Sequence, residues 1–135
     1  MEESSVIENI LEAVPVPIFI VDKERKIYEL NKAAAELAEG SMEGILHNRL
    51  GEALHCIHHE KSGEMCGITP FCGDCVINNA ITEVLHGGTI YRKKHHLIVL
   101  KDDIQQFNRF LLTASPLALA DEELAILVLE NVTDF

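Results

Sequence analysis

Long apolar runs are missing from this sequence. The longest stretches of that kind, such as VPVPIFIV, fall well short of the about 20 residues that a membrane-spanning helix needs, so a soluble chain with no membrane insertion is expected. Also missing is a basic segment leading into an apolar one at the start, which reads MEESSVIENI. Secretion is therefore unsupported, and a reducing, cytoplasmic setting is expected in which structural disulfides are disfavoured. Basic residues are scarce: 11 Lys and Arg stand against 22 Asp and Glu, for a net charge of -11. Such a charge repels phosphate backbones and anionic lipid heads, which argues against nucleic acid as a partner. No G-x-S-x-G elbow, phosphate-binding loop or kinase signature occurs, and the thiols lack the βαβ context of a thioredoxin-like site, so enzymatic activity is not expected. Internal repeats and low-complexity tracts are absent as well. With 47% apolar residues in 135, the chain reads as one compact domain over residues 1–135.

What the chain does have is concentrated in residues 51–86, GEALHCIHHEKSGEMCGITPFCGDCVINNAITEVLH. All four cysteines lie there, Cys56, Cys66, Cys72 and Cys75, spaced C-x9-C-x5-C-x2-C. Gly67 and Gly73 follow two of them directly, and His55, His58 and His59 stand nearby. Soft thiols at this spacing, in a polar glycine-containing loop that opens onto an amphipathic helix, suit a thiolate-bound metal or cluster. Cys72 and Cys75 sit where that helix begins; unpaired N–H groups and the positive end of the helix dipole favour thiolates there. Cys56 and Cys66 complete a four-sulfur set. Two plainer readings stand beside this one, a dithiol that oxidises and cysteines with no special role. His55, His58 and His59 can each replace one thiolate or serve as an axial haem ligand, although a histidine in a polar loop is more often simply solvated. His47, His86, His95 and His96 show no ligand spacing and receive no role.

Around this stretch the chain alternates helix and strand. Val6, Ile7, Ile10, Leu11 and Val14 recur at helical spacing, and Ser5 followed by Glu8 reads as a capping box, which predicts a leading amphipathic helix within residues 1–14. That helix covers either this domain's own sheet or a partner's. Pro15 and Pro17 end it; Pro17 belongs at a strand's beginning or on an edge. Val16 to Val21 and Lys26 to Leu30 form a hairpin around a polar turn that contains Asp22. Asn31 caps a short alanine-rich helix, Lys32 to Glu39, with Gly40 as its stop. Short helical turns follow from Ser41. Beyond the cysteines, Val76, Ile77, Ala80, Ile81, Val84 and Leu85 mark a helix that Gly87 and Gly88 end. Then come three extended runs, Ile90 to Lys101, Gln106 to Leu119 and Leu124 to Val132, expected as consecutive antiparallel strands. Pro116 predicts a bulge or an edge location. The basic run Arg92 to His96 reads as a solvated face or as counter-charge to the acidic remainder.

This order of elements, the wording PIFIVDKERKIYELNKAAAEL and the closing NVTDF resemble the PAS domain, a sensory module of histidine kinases, cyclic-dinucleotide enzymes and transcription regulators. The resemblance covers almost the whole chain. It implies an α+β fold, a five-stranded antiparallel sheet with helices on one face and a ligand pocket between them, which the cysteine loop and its helix would border. The cysteine pattern, Gly51-Leu54-Cys56, Cys66-Gly67 and Cys72-Cys75, is also similar to a subset of sensory PAS domains. The motif of the blue-light flavin subgroup does not occur, so flavin is set aside, and haem has only the family's precedent behind it. Zinc and an iron–sulfur cluster both accept tetrahedral thiolates, and spacing does not choose between them. A sensory role favours the cluster, since zinc has no second oxidation state to sense with. The expectation is a sensor of redox state or oxygen that relays to an effector such as a histidine kinase, in a longer chain or as a partner, with a homodimer as its assembly. The alternatives are an interaction module with a purely structural zinc site, or a small-molecule ligand in the pocket.

Overall fold

A computed structural model describes residues 2–38, 42–49, 76–101, 104–119 and 121–132. In chain order the elements are α1 (Glu2–Ala13), β1 (Ile18–Val21), β2 (Ile27–Leu30), α2 (Lys32–Ala38), α3 (Met42–Ile45), α4 (Val76–Leu85), β3 (Ile90–Lys101), β4 (Ile104–Leu119) and β5 (Glu122–Asn131). The strands form one five-stranded sheet in the order β2-β1-β5-β4-β3, with every pairing antiparallel. The expected sheet is therefore present, and the first hairpin joins the last one through the β1–β5 pair.

Two apolar layers explain the composition of the central strands. Phe19 and Val21 of β1 and Ala125, Leu127 and Leu129 of β5 bury one face together with Ile81 and Val84 of α4 and Ala34 and Ala38 of α2. Ile18 and Ile20 of β1 and Leu124 of β5 bury the opposite face with Leu11 of α1. Successive side chains alternate between faces, so a strand covered on both sides must be apolar throughout. All four residues of β1 are buried. The leading helix thus covers its own sheet through Leu11, on the face away from α2 and α4. Its outer side leaves Val6 and Ile10 each 56% exposed.

Several boundaries differ from expectation for identifiable reasons. The capping-box reading of Ser5 and Glu8 does not hold, because α1 begins at Glu2 and Ser5 lies inside it. Pro17 immediately precedes β1, as its missing N–H requires, while its carbonyl accepts from the N–H of Leu129 at 3.0 Å. Pro116 pairs with Ala125 without a bulge. The β3 ladder stops at the Ile90–Ala114 pair, so Pro116 has no β3 neighbour to deprive of a hydrogen bond. The irregularity falls in β3 instead, between Ile90 and Lys93.

The end of α4 shows why two glycines are needed. The N–H of Gly87 donates to Val84 O at 2.9 Å and that of Gly88 to Glu83 O at 3.0 Å, the paired bonds of a Schellman cap. Gly87 has φ 94°. At Gly88 a Cβ would lie 2.7 Å from Glu83 Cγ. Among the described residues, no helix is long and apolar enough to cross a membrane.

Candidate functional site

Cys56, Cys66, Cys72 and Cys75, with His55, His58 and His59, lie outside the described residues. The described residues on either side of that stretch are informative, because both of its ends are fixed to one place. On the entry side, His47 N donates to Ile27 O at 2.8 Å, Ile27 N donates to Asn48 O at 2.8 Å, and Arg49 bridges to Lys26. On the exit side, α4 begins at Val76, the residue after Cys75, and is gripped two residues on by Arg25. The Nε of Arg25 donates to Asn78 Oδ1 at 2.6 Å, and its Nη2 donates to Thr82 Oγ1 at 2.7 Å. Neighbouring residues of one turn, Arg25 and Lys26, therefore hold the two ends.

That turn is built to be stiff. Asp22 Oδ1 accepts from the N–H groups of Glu24 at 2.8 Å and Lys26 at 3.0 Å, and Arg25 N donates to Asp22 O at 3.0 Å. Asp22 is the turn residue the sequence suggests, and its side chain does what an Asx turn requires. Arg25 has φ 67°, a left-handed conformation, and its Nη1 donates back to Lys23 O at 2.8 Å. Replacing Arg25 by Ala removes the tie to α4 and is expected to cost about 1–2 kcal/mol, the value of charge-assisted bonds at a partly exposed site. Urea unfolding measures that cost. Amide exchange of Asn78 to Thr82 should speed up at the same time.

The basic run separates into two environments. Arg92, Lys93, Lys94 and His96 are exposed, and Arg92 faces Glu130 with Nε–Oε1 at 3.1 Å and Nη2–Oε2 at 3.3 Å, in line with the solvated, counter-charged reading. His95 departs from it. Only 8% exposed, it pairs in register with the buried Phe110 and so points to the same face of the sheet as α4. Its Nε2 is buried and has no hydrogen-bond partner among the described residues. A buried polar group left without a partner costs about 1–3 kcal/mol, so its retention calls for a reason. Strand alternation alone did not single it out, since Lys93 shares its face and is exposed.

Burial, and secondarily the neighbouring His96, push the His95 imidazole down to about 4 from an ordinary 6.5. The folded form therefore refuses a proton that the unfolded chain accepts below pH 6.5. Stability contributed by neutral His95 is complete above that pH and is lost as pH falls toward 4, by about 1.4 kcal/mol per unit and roughly 3 kcal/mol in all. In protein kept metal-free with a chelator, His95→Phe is expected to flatten that part of the stability profile. The exposed His96, Lys93 and Lys94 remain in both proteins.

A family model described as the PAS fold matches residues 6–67. Among solved structures, the chain is similar to the PAS domain of nitrogen regulation protein NR(II) from Vibrio parahaemolyticus, at 15% identity and TM-score 0.62, covering 94% of this chain and 98% of that one. It is similar to the PAS domain of a protein from Colwellia psychrerythraea, at 13% identity and TM-score 0.64, covering 98% and 99%. A domain of a sensory box sensor histidine kinase/response regulator from Geobacter sulfurreducens matches at 15% identity and TM-score 0.56, covering 93% and 92%. At such identities the likeness is one of fold. No curated protein sequence matches.

Proposed function

From the PAS fold that this chain has, we propose that it is a sensory domain of signal transduction, reading redox state or oxygen through a metal or iron–sulfur centre on Cys56, Cys66, Cys72 and Cys75. The observation that carries this reading is the fixing of both ends of the cysteine stretch to Arg25 and Lys26. Ends held together shorten the loops that must close for four distant sulfurs to meet, which lowers the entropic cost of ligation. The sensor histidine kinase among the similar structures supports an effector of that class, in the same chain or as a partner. The role is binding and relay, not catalysis. A change at the centre would act first on the start of α4, and the Arg25 bonds to Asn78 and Thr82 connect that helix to the β1–β2 turn.

The test is metal content followed across an oxidant series. A sensing cluster loses iron and sulfide and changes the protein's assembly or partner affinity under mild oxidants. A purely structural zinc site leaves assembly unchanged under the same treatment.

A second reading, an interaction module that dimerises and uses zinc only for stability, is favoured by the exposed apolar surface. Val6 and Ile10 line the outer side of α1, and β4 carries Ile104 at 62% and Phe107 at 67% exposure. Those two lie before Phe110, the first β4 residue paired with β5, on a two-stranded ribbon of β3 and β4. Two strands alone are marginally stable, and a second copy packed on them would supply the missing layer. Sedimentation of wild type and Phe107→Glu tests this: the reading expects a dimer that the charge dissociates at least tenfold more readily.

A further inference from the structure

We infer that the side of the sheet on which α1 lies carries a basic groove on β3 and β4 that receives the acidic outer side of α1 from a second copy of this chain. The inference rests on the second reading above and names the part of the second copy that meets the β3–β4 ribbon. Strand register assembles the groove. Phe110, Leu112 and Ala114 of β4 belong to the core on the α4 side, so the residues that alternate with them, Phe107, Arg109 and Leu111, lie on the opposite side. The β3 partners of Arg109 and Leu111 are His96 and Lys94, which brings three basic side chains together there. Lys94, His96 and Arg109 line a concavity of about 230 Å³ with Leu111 and Val132 in its wall. Phe107, one step beyond Arg109 on that side, is exposed, as are the three basic residues. The helix α1 lies on the same side, where Leu11 packs with Ile18, Ile20 and Leu124 over β1 and β5 and leaves this part of the ribbon uncovered.

The outer side of α1 carries the complement. Val6 and Ile10, one turn apart, make an apolar stripe, Glu8 and Glu12 make an acidic one, and all four are exposed. Among the described residues, Glu8, Glu12, Lys94 and His96 have no ion-pair partner within the chain. Lengths agree as well: the 12 residues of α1 rise about 18 Å, and β4 runs about 20 Å from Phe107 to Thr113. With a net charge of -11, two copies repel over most of their surface, and the basic groove is where an acidic helix is attracted instead. Val6 and Ile10 then pack against Phe107 and Leu111 while the glutamates meet the cations. Because helix and groove share one side of the sheet, a two-fold axis seats each helix on the other copy's groove at once, and every contact is made twice.

Charge reversal in two halves is the test, read by sedimentation of the full chain. One variant combines Lys94→Glu with His96→Glu and makes the groove acidic; the other combines Glu8→Lys with Glu12→Lys and makes the helix basic. Alone, each is expected to dimerise at least about tenfold more weakly than wild type, because like charges now meet. Mixed together, the two variants are expected to form a heterodimer, since each helix again faces a groove of opposite charge. Carbodiimide coupling reads the same contact in the wild type without any variant, should one of them fail to fold as judged by circular dichroism. In a mixture of isotopically light and heavy chains, it is expected to join Lys94 Nζ of one copy to the Glu8 or Glu12 carboxylate of the other. A dimer that Phe107→Glu dissociates but that neither double variant weakens, variants whose mixture does not recover, or a coupling pattern without a Lys94 link to Glu8 or Glu12 between copies overturns this seating and leaves the dimer reading standing. Wild-type protein that stays monomeric overturns the dimer reading, and this seating with it.

Discussion

Cys72→Ser is expected to empty the proposed metal site. A serine hydroxyl stays protonated where a thiolate forms and is a poor ligand for zinc or iron, so the substitution removes one ligand and breaks the C-x2-C pair on which convergence depends. Bound metal should fall from near stoichiometric to near zero. Apparent binding energies of structural zinc sites, about 10–16 kcal/mol in small peptides, show how much ordering such a site can drive. In this larger domain the loss should stay local. Amide exchange should accelerate through α4, which follows Cys75 after no spacer, while β1 and β5, buried on both faces by Phe19, Ile20, Leu127 and their neighbours, keep their protection. Unchanged metal content in the variant would move the site to other ligands.

Asn31→Leu is expected to destabilise the whole domain by roughly 4–5 kcal/mol, a large part of the 5–15 kcal/mol typical of a domain. Asn31 is fully buried and all of its side-chain bonding is used inside the protein. Its Oδ1 accepts from Ile18 N at 3.0 Å and from Ala34 N at 2.9 Å, and its Nδ2 donates to Val14 O at 3.1 Å and Val16 O at 2.8 Å. One amide therefore caps α2, fixes the start of β1 and holds the link from α1. Leucine fills a similar volume and leaves two buried donors, Ile18 N and Ala34 N, and two part-buried acceptors, Val14 O and Val16 O, without their partner, at about 1 kcal/mol or more each. Chemical denaturation should show a lowered midpoint with an unchanged slope. A loss under 1 kcal/mol would mean that water readily takes over these bonds.

The two substitutions differ in how visible their sites are from sequence. Asn31 is recognisable as a helix cap because it stands just before an alanine-rich run, but its grip on Val14 and Val16 joins residues that no periodicity relates. The strands were legible for a simple reason: β1 is wholly β-branched and aromatic, and the longer β3, β4 and β5 are extended runs, each carrying apolar residues, between Asp and Gly turns. The number of strands and the antiparallel sheet came with the family resemblance, but their order in the sheet did not, since side-chain pattern says which residues share a face and not which strands are neighbours. The cysteine spacing suggested a site, while the tie of its flanks to Arg25 and Lys26 is a long-range polar contact that composition does not encode. His95 was obscured by its company. A run of cations reads as surface, and burial of one member follows only once Phe110 is known to stand opposite. The early start of α1 was missed because Ser5 and Glu8 satisfy a capping pattern by residue type, and the helix simply continues through them.

Metal and sulfide analysis with a visible spectrum, on protein purified without air, bears most directly on the cysteine site. Stoichiometric metal is expected: iron with acid-labile sulfide and visible absorption for a cluster, or colourless zinc for a purely structural site. Protein that carries no iron, zinc or sulfide and takes up none on reconstitution would contradict it, leaving a PAS-fold domain whose four thiols hold nothing.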